Sequence, residues 1–344
     1  MSSETVKNFT EVVVNFKEEQ FQIDQPESGL ARTRFDAFHI HTTTYVTVGP
    51  DDHEIQVSIL IPKEIGQEPC PLHVKFHGGG FATGDALFKN WHHAHHVRLA
   101  LQTNSITILP NYRLMPEHNG KDILSDIHDF WTWFHNGFSN FLQERHAGIT
   151  FDKEQLLISG ESAGGFLAAY SWLSDKAGTP IKALYLQYPM LFYYTKKAGR
   201  FMGDEPENDI DEHRKAGTLR SISSAKPPDH MAMAYCLSVT GRWEKEFNED
   251  DIEKYLERKI DPPVSFPQMF VYHGTNDSAV PIANTEKFLN MVRSKYSDQY
   301  KDKNILFQRV EGQDHAGDYD IDENEPGMEW LKDMLAEIKT AWTS

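Results

Sequence analysis

The chain has 344 residues with 39% hydrophobic content, and its 34 lysines and arginines stand against 51 aspartates and glutamates for a formal charge of −17. That length allows one large catalytic unit with a sizeable core, while the acidity disfavours nucleic acid and anionic membrane as partners. Cys70 and Cys236 are too far apart for a disulfide framework or a zinc spacing, Met1 to Thr5 lack an apolar signal region, and no run approaches a membrane span, so a reduced, soluble, cytoplasmic protein is expected.

Residues 1–42 mix aromatics and charges without a clean period and read as an N-terminal arm. Thr43–Val48 and Ile55–Ile61 are predicted strands of a hairpin joined at Gly49-Pro50-Asp51-Asp52. The strand Leu72–Phe76 then ends in His77-Gly78-Gly79-Gly80-Phe81. Consecutive glycines leave their amides unshielded, so this loop can meet the negative charge that develops in acyl transfer. A helix is predicted over 90–102, and it contains Trp91-His92-His93-Ala94-His95-His96. His92 and His96 would share a helix face, as metal ligands do. No carboxylate or cysteine stands among them, however, and a polar helix face accounts for them without a metal.

After a strand near 105 and a helix over 123–136, Leu156-Leu157-Ile158 runs into Gly160-Glu161-Ser162-Ala163-Gly164-Gly165 and then a helix over 163–174. A short apolar strand, G-x-S-x-G and a helix form the sequence signature of a nucleophile elbow, with Ser162 held out at the turn; the alternative is a serine that merely caps a helix. A strand near 182 follows. The interval from Pro189 to Pro267 then breaks the alternation with a stretch rich in charge and in Met, Tyr and Phe, which reads as a lid. Met231, Met233 and Tyr235 in it suit acyl-pocket lining and cap packing equally.

The strand Gln268–His273 leads into Gly274-Thr275-Asn276-Asp277, a helix is predicted over 281–294, and the strand Ile305–Val310 precedes the loop that carries His315, before a last helix over 326–341. Alternating strands and helices predict a mostly parallel sheet covered on both faces, and such sheets carry site residues at the C-terminal ends of their strands. Asp277 follows its strand at the right place, unlike Asp261 and Asp314. His315 follows the next strand, whereas the rival base His273 lies within a strand and before the acid, where a core histidine is expected.

These blocks, with Asn111-Tyr112-Arg113-Leu114-Met115-Pro116-Glu117-His118 between them, resemble the hormone-sensitive-lipase-like carboxylesterases of the α/β-hydrolase fold. The resemblance implies a catalytic domain over 43–344, a mostly parallel sheet flanked by helices, and a cap built from an insertion at about 190–267 with the arm 1–42. It implies Ser162 as nucleophile, His315 as general base, Asp277 as orienting acid and the amides of Gly79, Gly80 and Ala163 as the oxyanion hole, with Asp126 structural. No cofactor or metal is implied; the expected partner is a small ester, and a homodimer fits the family. Three positions depart from the family pattern: Glu161 in place of the usual aspartate, Asn119-Gly120-Lys121 after the Pro-Glu-His block, and Ala316-Gly317 after His315. The expected chemistry is ester hydrolysis through an acyl-enzyme. An acyltransferase, lactonase or amidase would use the same residues, and a small-molecule receptor on this fold is the non-catalytic alternative.

Overall fold

A computed structural model describes residues 31–66, 68–195, 221–227, 230–258, 263–301 and 304–344. Eight strands form one sheet: β1 Phe38–Val48, β2 His53–Pro62, β3 Cys70–Phe76, β4 Ile106–Pro110, β5 Phe151–Glu161, β6 Ala183–Gln187, β7 Gln268–Gly274 and β8 Ile305–Val310. Their order is β1-β2-β4-β3-β5-β6-β7-β8, and every pairing from β4 to β8 is parallel while β2 pairs antiparallel with both β1 and β4. Helices α1 Ala94–Thr103, α2 Gly120–Asn136, α3 Phe138–Arg145, α4 Ala163–Leu173, α5 Met231–Val239, α6 Trp243–Phe247, α7 Ile252–Glu257, α8 Ile282–Lys295 and α9 Glu329–Thr343 complete the described elements.

Burial on both faces follows from strand alternation. Leu156 and Ile158 of β5 point into one apolar cluster with Ile127 and Phe130 of α2 and Phe288 of α8, while Leu157 between them joins Leu331 and Met334 of α9 on the other face. On the first face, α4 follows β5 directly and is buried along its whole length. The predicted alternation of strands and helices is thus the observed one, with α3 as an additional helix. In the expected cap interval, α5, α6 and α7 lie in the described part, and residues 196–220 lie outside the described residues, as does Asp261.

Two residues of the Asn119-Gly120-Lys121 departure have local reasons. Asn119 caps α2, its side-chain oxygen accepting from the Asp122 amide at 3.2 Å, and Gly120 lies so close to α6 that a Cβ would meet the Phe247 ring at 2.5 Å. Asp126 is structural, as expected: on α2 it accepts from the Arg113 amide at 2.8 Å and from the Arg113 guanidinium at 2.7 Å, which locks the strand-end loop after β4 to the helix.

The histidine-rich segment overturns one expectation. The helix predicted from residue 90 starts at Ala94, after a single turn of 3-10 helix at Lys89–Trp91. His92, His93, His95 and His96 are 3%, 0%, 0% and 1% exposed, so they form no solvated helix face. They turn inward because β6 and the loop that carries Asp318 offer polar partners. His96 Nε2 lies 2.6 Å from Gln187 Oε1, His95 Nε2 lies 3.2 Å from the Tyr185 hydroxyl, and His93 Nε2 lies 3.2 Å from the buried Asp318 carboxylate. Among the described residues no group of three or more histidine, cysteine or acidic side chains is arranged to hold a metal ion.

Burial alone would raise the Asp318 carboxyl, but the charge of His93 and hydrogen bonds from His93 and Tyr272 lower it from 3.8 to about 2. Because the folded value lies below the unfolded one, its stabilisation is complete above about pH 4 and is lost as pH falls toward 2. The stability difference between the parent and Asp318→Asn is expected to shrink by about 2 kcal/mol between pH 5 and pH 2, read from denaturant titrations at each pH.

Candidate active site

Strand β5 delivers Ser162 at a turn that few residues tolerate. Its φ of 52° and ψ of −119° lie outside the regions side chains favour, a strain of about 1–3 kcal/mol that surrounding contacts must offset. They do so on both sides of the peptide: the Ser162 amide donates to the Gln187 carbonyl at 3.0 Å, and the Ser162 carbonyl accepts from Met190 at 2.8 Å. Tight packing explains the glycine after the elbow, since a Cβ on Gly164 would sit 2.2 Å from the Phe76 carbonyl oxygen.

The three loops that sequence spacing singled out converge on this turn. Ser162 Oγ lies 3.1 Å from His315 Nε2, and His315 Nδ1 lies 2.7 Å from Asp277 Oδ2. Asp277 Oδ1 accepts from the amides of Ala279 at 2.8 Å and Val280 at 2.7 Å. Burial opposes ionisation of Asp277, yet the charge of His315 and hydrogen bonds from His273 and His315 hold the carboxyl below the usual carboxylate range. The acid is therefore an acceptor whose remaining oxygen is already fixed by the backbone.

His273 is the fully buried core histidine that its position in β7 led us to expect. Its Nε2 also lies 3.0 Å from Asp277 Oδ2 and its Nδ1 2.8 Å from Thr285 Oγ1. It thus supports the acid and makes no contact with Ser162, a role that its place in the strand did not reveal. Asp314, the discounted neighbour, accepts from the amides of Ser278 and His315, each at 2.7 Å, and so ties the two loops together.

The glycine loop after β3 faces the elbow. Gly79 has φ of 105° and a Cβ there would lie 2.0 Å from the Thr83 carbonyl oxygen, so only glycine fits. Among the described residues no backbone acceptor engages the Gly79 or Gly80 amide. Glu161 holds the loop in place: Oε1 accepts from the Gly78 amide at 3.0 Å, while Oε2 accepts from Lys75 Nζ at 2.7 Å. The longer reach of glutamate over aspartate is used to bridge both groups, and the ion pair is buried, with the lysine 3% and the glutamate 1% exposed. Lys75 stands in a strand whose other side chains are all buried, and nothing in the local pattern signalled its partner.

A cavity of about 110 Å³ opens over Ser162 and His315, walled by Trp91, Tyr194, Met231, Tyr235, Val280 and Tyr319 and floored by Gly78 to Gly80. Met231 and Tyr235 line it, whereas Met233 packs into the core. Among the described residues its wall carries no aspartate, glutamate, lysine or arginine. The arrangement can therefore present a nucleophilic hydroxyl, a base and unengaged amides to a neutral acyl group.

Comparison with known proteins agrees with this fold. The profile of a family described as having the alpha/beta hydrolase fold matches residues 73–278. The "Probable carboxylesterase M8" of Phoma sp. is 30% identical over 263 residues, covering 71% of this chain and 80% of that protein. The "Probable carboxylesterase clz11" of Cochliobolus lunatus is 27% identical over 193 residues, covering 52% of this chain and 87% of that protein. Among solved structures, an esterase from Pyrobaculum calidifontis superposes with a TM-score of 0.57 at 18% identity, covering 92% of this chain and 90% of that one, a likeness of fold. With the elbow, the glycine loop and the acid and histidine loops in family order on an α/β-hydrolase sheet, the chain belongs to the hormone-sensitive-lipase-like carboxylesterase family.

Proposed function

We propose that the protein is a serine carboxylesterase acting on small, neutral, soluble esters through a covalent acyl-enzyme. The observation that carries this reading is the continuous chain from Ser162 Oγ through His315, at 3.1 Å, to Asp277, at 2.7 Å, on the floor of an apolar cavity. Ser162 attacks the ester carbonyl as His315 Nε2 takes its proton, and the oxyanion develops against the amides of Gly79, Gly80 and Ala163. Asp277 keeps the Nδ1 proton in place, so Nε2 is the basic nitrogen. His315 then protonates the departing alkoxide and activates the water that releases the acid.

The same reading takes about 190–267 as the cap that selects substrates, α5 supplying Met231 and Tyr235 to the wall. It places the enzyme in the cytoplasm, where the buried thiols of Cys70 and Cys236 stay reduced. No described helix is long and apolar enough to cross a membrane.

A p-nitrophenyl ester series tests the reading. Fluorophosphonate should label Ser162 stoichiometrically, and kcat/KM should peak at acyl chains of about two to eight carbons, each methylene adding up to about 0.8 kcal/mol until the cavity is full. An unreactive serine would return the protein to the receptor class. An optimum at sixteen carbons, or a rise in rate above the substrate's micellar threshold, would show that the cap serves aggregated lipid instead.

A further inference from the structure

Against the ring of His315 lies a group of buried polar side chains for which hydrolysis has no direct use. Asp318 follows His315 on the same loop and is 2% exposed. Its Oδ1 accepts from the Tyr188 hydroxyl at 3.0 Å, and its Oδ2 accepts from the Tyr272 hydroxyl and lies 3.2 Å from His93 Nε2. His93 Nε2 also lies 3.0 Å from the Tyr188 hydroxyl, which closes a triangle of His93, Tyr188 and Asp318.

Tyr188 connects that triangle to the reacting groups. Its ring meets the His315 imidazole at a centroid distance of 4.7 Å and an interplanar angle of 66°. Its backbone is fixed in an unusual conformation, φ 36°, by an amide that donates to the Tyr272 carbonyl at 2.8 Å. It also stands between Gln187, whose carbonyl holds the Ser162 amide, and Met190, whose amide holds the Ser162 carbonyl. The same side chain thus touches the base and sits within the segment that sets the elbow. On the far side, the amide of Ala94 donates to the Tyr319 carbonyl at 2.8 Å, so the start of α1 grips the loop next to Asp318.

A base carried on a loop must be held to within a fraction of an ångström to transfer a proton efficiently, and that requires supporting side chains whose own positions are locked. Asp277 fixes one nitrogen of the ring but leaves the imidazole free to swing about that contact. The Tyr188 ring packs edge-on against the imidazole and so restrains that swing. We propose that Asp318, with His93 and Tyr188, is a positioning group for His315: the buried carboxylate holds the Tyr188 ring against the imidazole and keeps Nε2 aimed at Ser162. This rests on the assignment of His315 as the base.

Tyr188→Phe, which keeps the ring and removes the hydroxyl, and Asp318→Asn, which keeps the shape and removes the charge, test it with p-nitrophenyl butyrate. Each should lower kcat about tenfold with KM within twofold of the parent, and each should slow fluorophosphonate labelling in proportion while labelling still reaches completion. The double variant should lose little more than the worse single one, because the residues act as one unit. If Asp318→Asn does not fold, Tyr188→Phe decides alone, since it deletes a single oxygen. A folded Tyr188→Phe with kcat unchanged, or a loss that falls on KM instead, would overturn the proposal and leave the cluster a purely structural one. Failure of the parent enzyme to be labelled would instead sink the assignment of the base on which the proposal stands.

Discussion

Replacing Ser162 by alanine is expected to lower kcat by at least about 10⁴-fold while leaving the unfolding transition in place, because the side chain contributes one oxygen and little packing. His315→Ala should cost nearly as much, and the double variant scarcely more than either, since Oγ at 3.1 Å from Nε2 is only as nucleophilic as the base makes it. Some acceleration over water should survive in all three, contributed by the amides of Gly79, Gly80 and Ala163 and by binding in the cavity. Turnover of a short-chain p-nitrophenyl ester, corrected for active sites by fluorophosphonate titration of the parent, measures the effect. A Ser162→Ala enzyme retaining a tenth of the parent's activity would move the nucleophile elsewhere.

The second large effect is expected at Glu161, and it should appear in stability as well as in rate. Glu161→Ala leaves Lys75 buried without its 2.7 Å partner, a change that costs about 3–5 kcal/mol of folding free energy where a buried pair is broken from one side. The variant also frees the Gly78 amide, and with it the loop that carries Gly79 and Gly80. Loss of one fixed donor to an oxyanion typically raises the barrier by about 2.7 to 4 kcal/mol, so a fall in kcat of about 10²-fold is expected. The double variant Lys75→Met with Glu161→Gln should recover most of the stability, since no charge is left unpaired and the amide can still bond the Gly78 loop. Denaturant titration and kcat on the same preparations separate the two effects. If Glu161→Ala is as stable as the parent, the pair does not hold the elbow to the glycine loop.

The order Ser162, Asp277, His315, each on the loop after its own strand, was legible in the chain because the constraints that produce it are local. A short apolar run, a glycine turn and a helix-forming run specify strand, elbow and helix within a few residues, and the alternation of such units specifies a parallel sheet whose strand ends meet on one edge. Gly79 could be recognised for the same reason: a backbone at φ 105° with no room for a Cβ demands glycine wherever the chain folds that way.

Pairing between elements was not legible, since it depends on register and on which loops come to face each other across the sheet. Lys75 reads as an anomaly in an apolar strand until the alignment of β3 with β5, Lys75 opposite Ser159 and Phe76 opposite Gly160, brings it to Glu161. His273 reads as core until the turn at Asp277 folds back onto it. The histidines at the start of α1 suggest a wet helix face by composition, and only the packing of that helix start against β6 and the Asp318 loop makes them a dry, bonded cluster. Sequence by itself determined the fold and the three side chains that it brings together, Ser162, His315 and Asp277, because hydrophobic period and backbone sterics act over a few residues. Tertiary structure alone decided what supports those groups, because a buried polar side chain takes its meaning from the one partner that satisfies it, and that partner is set by the assembled sheet.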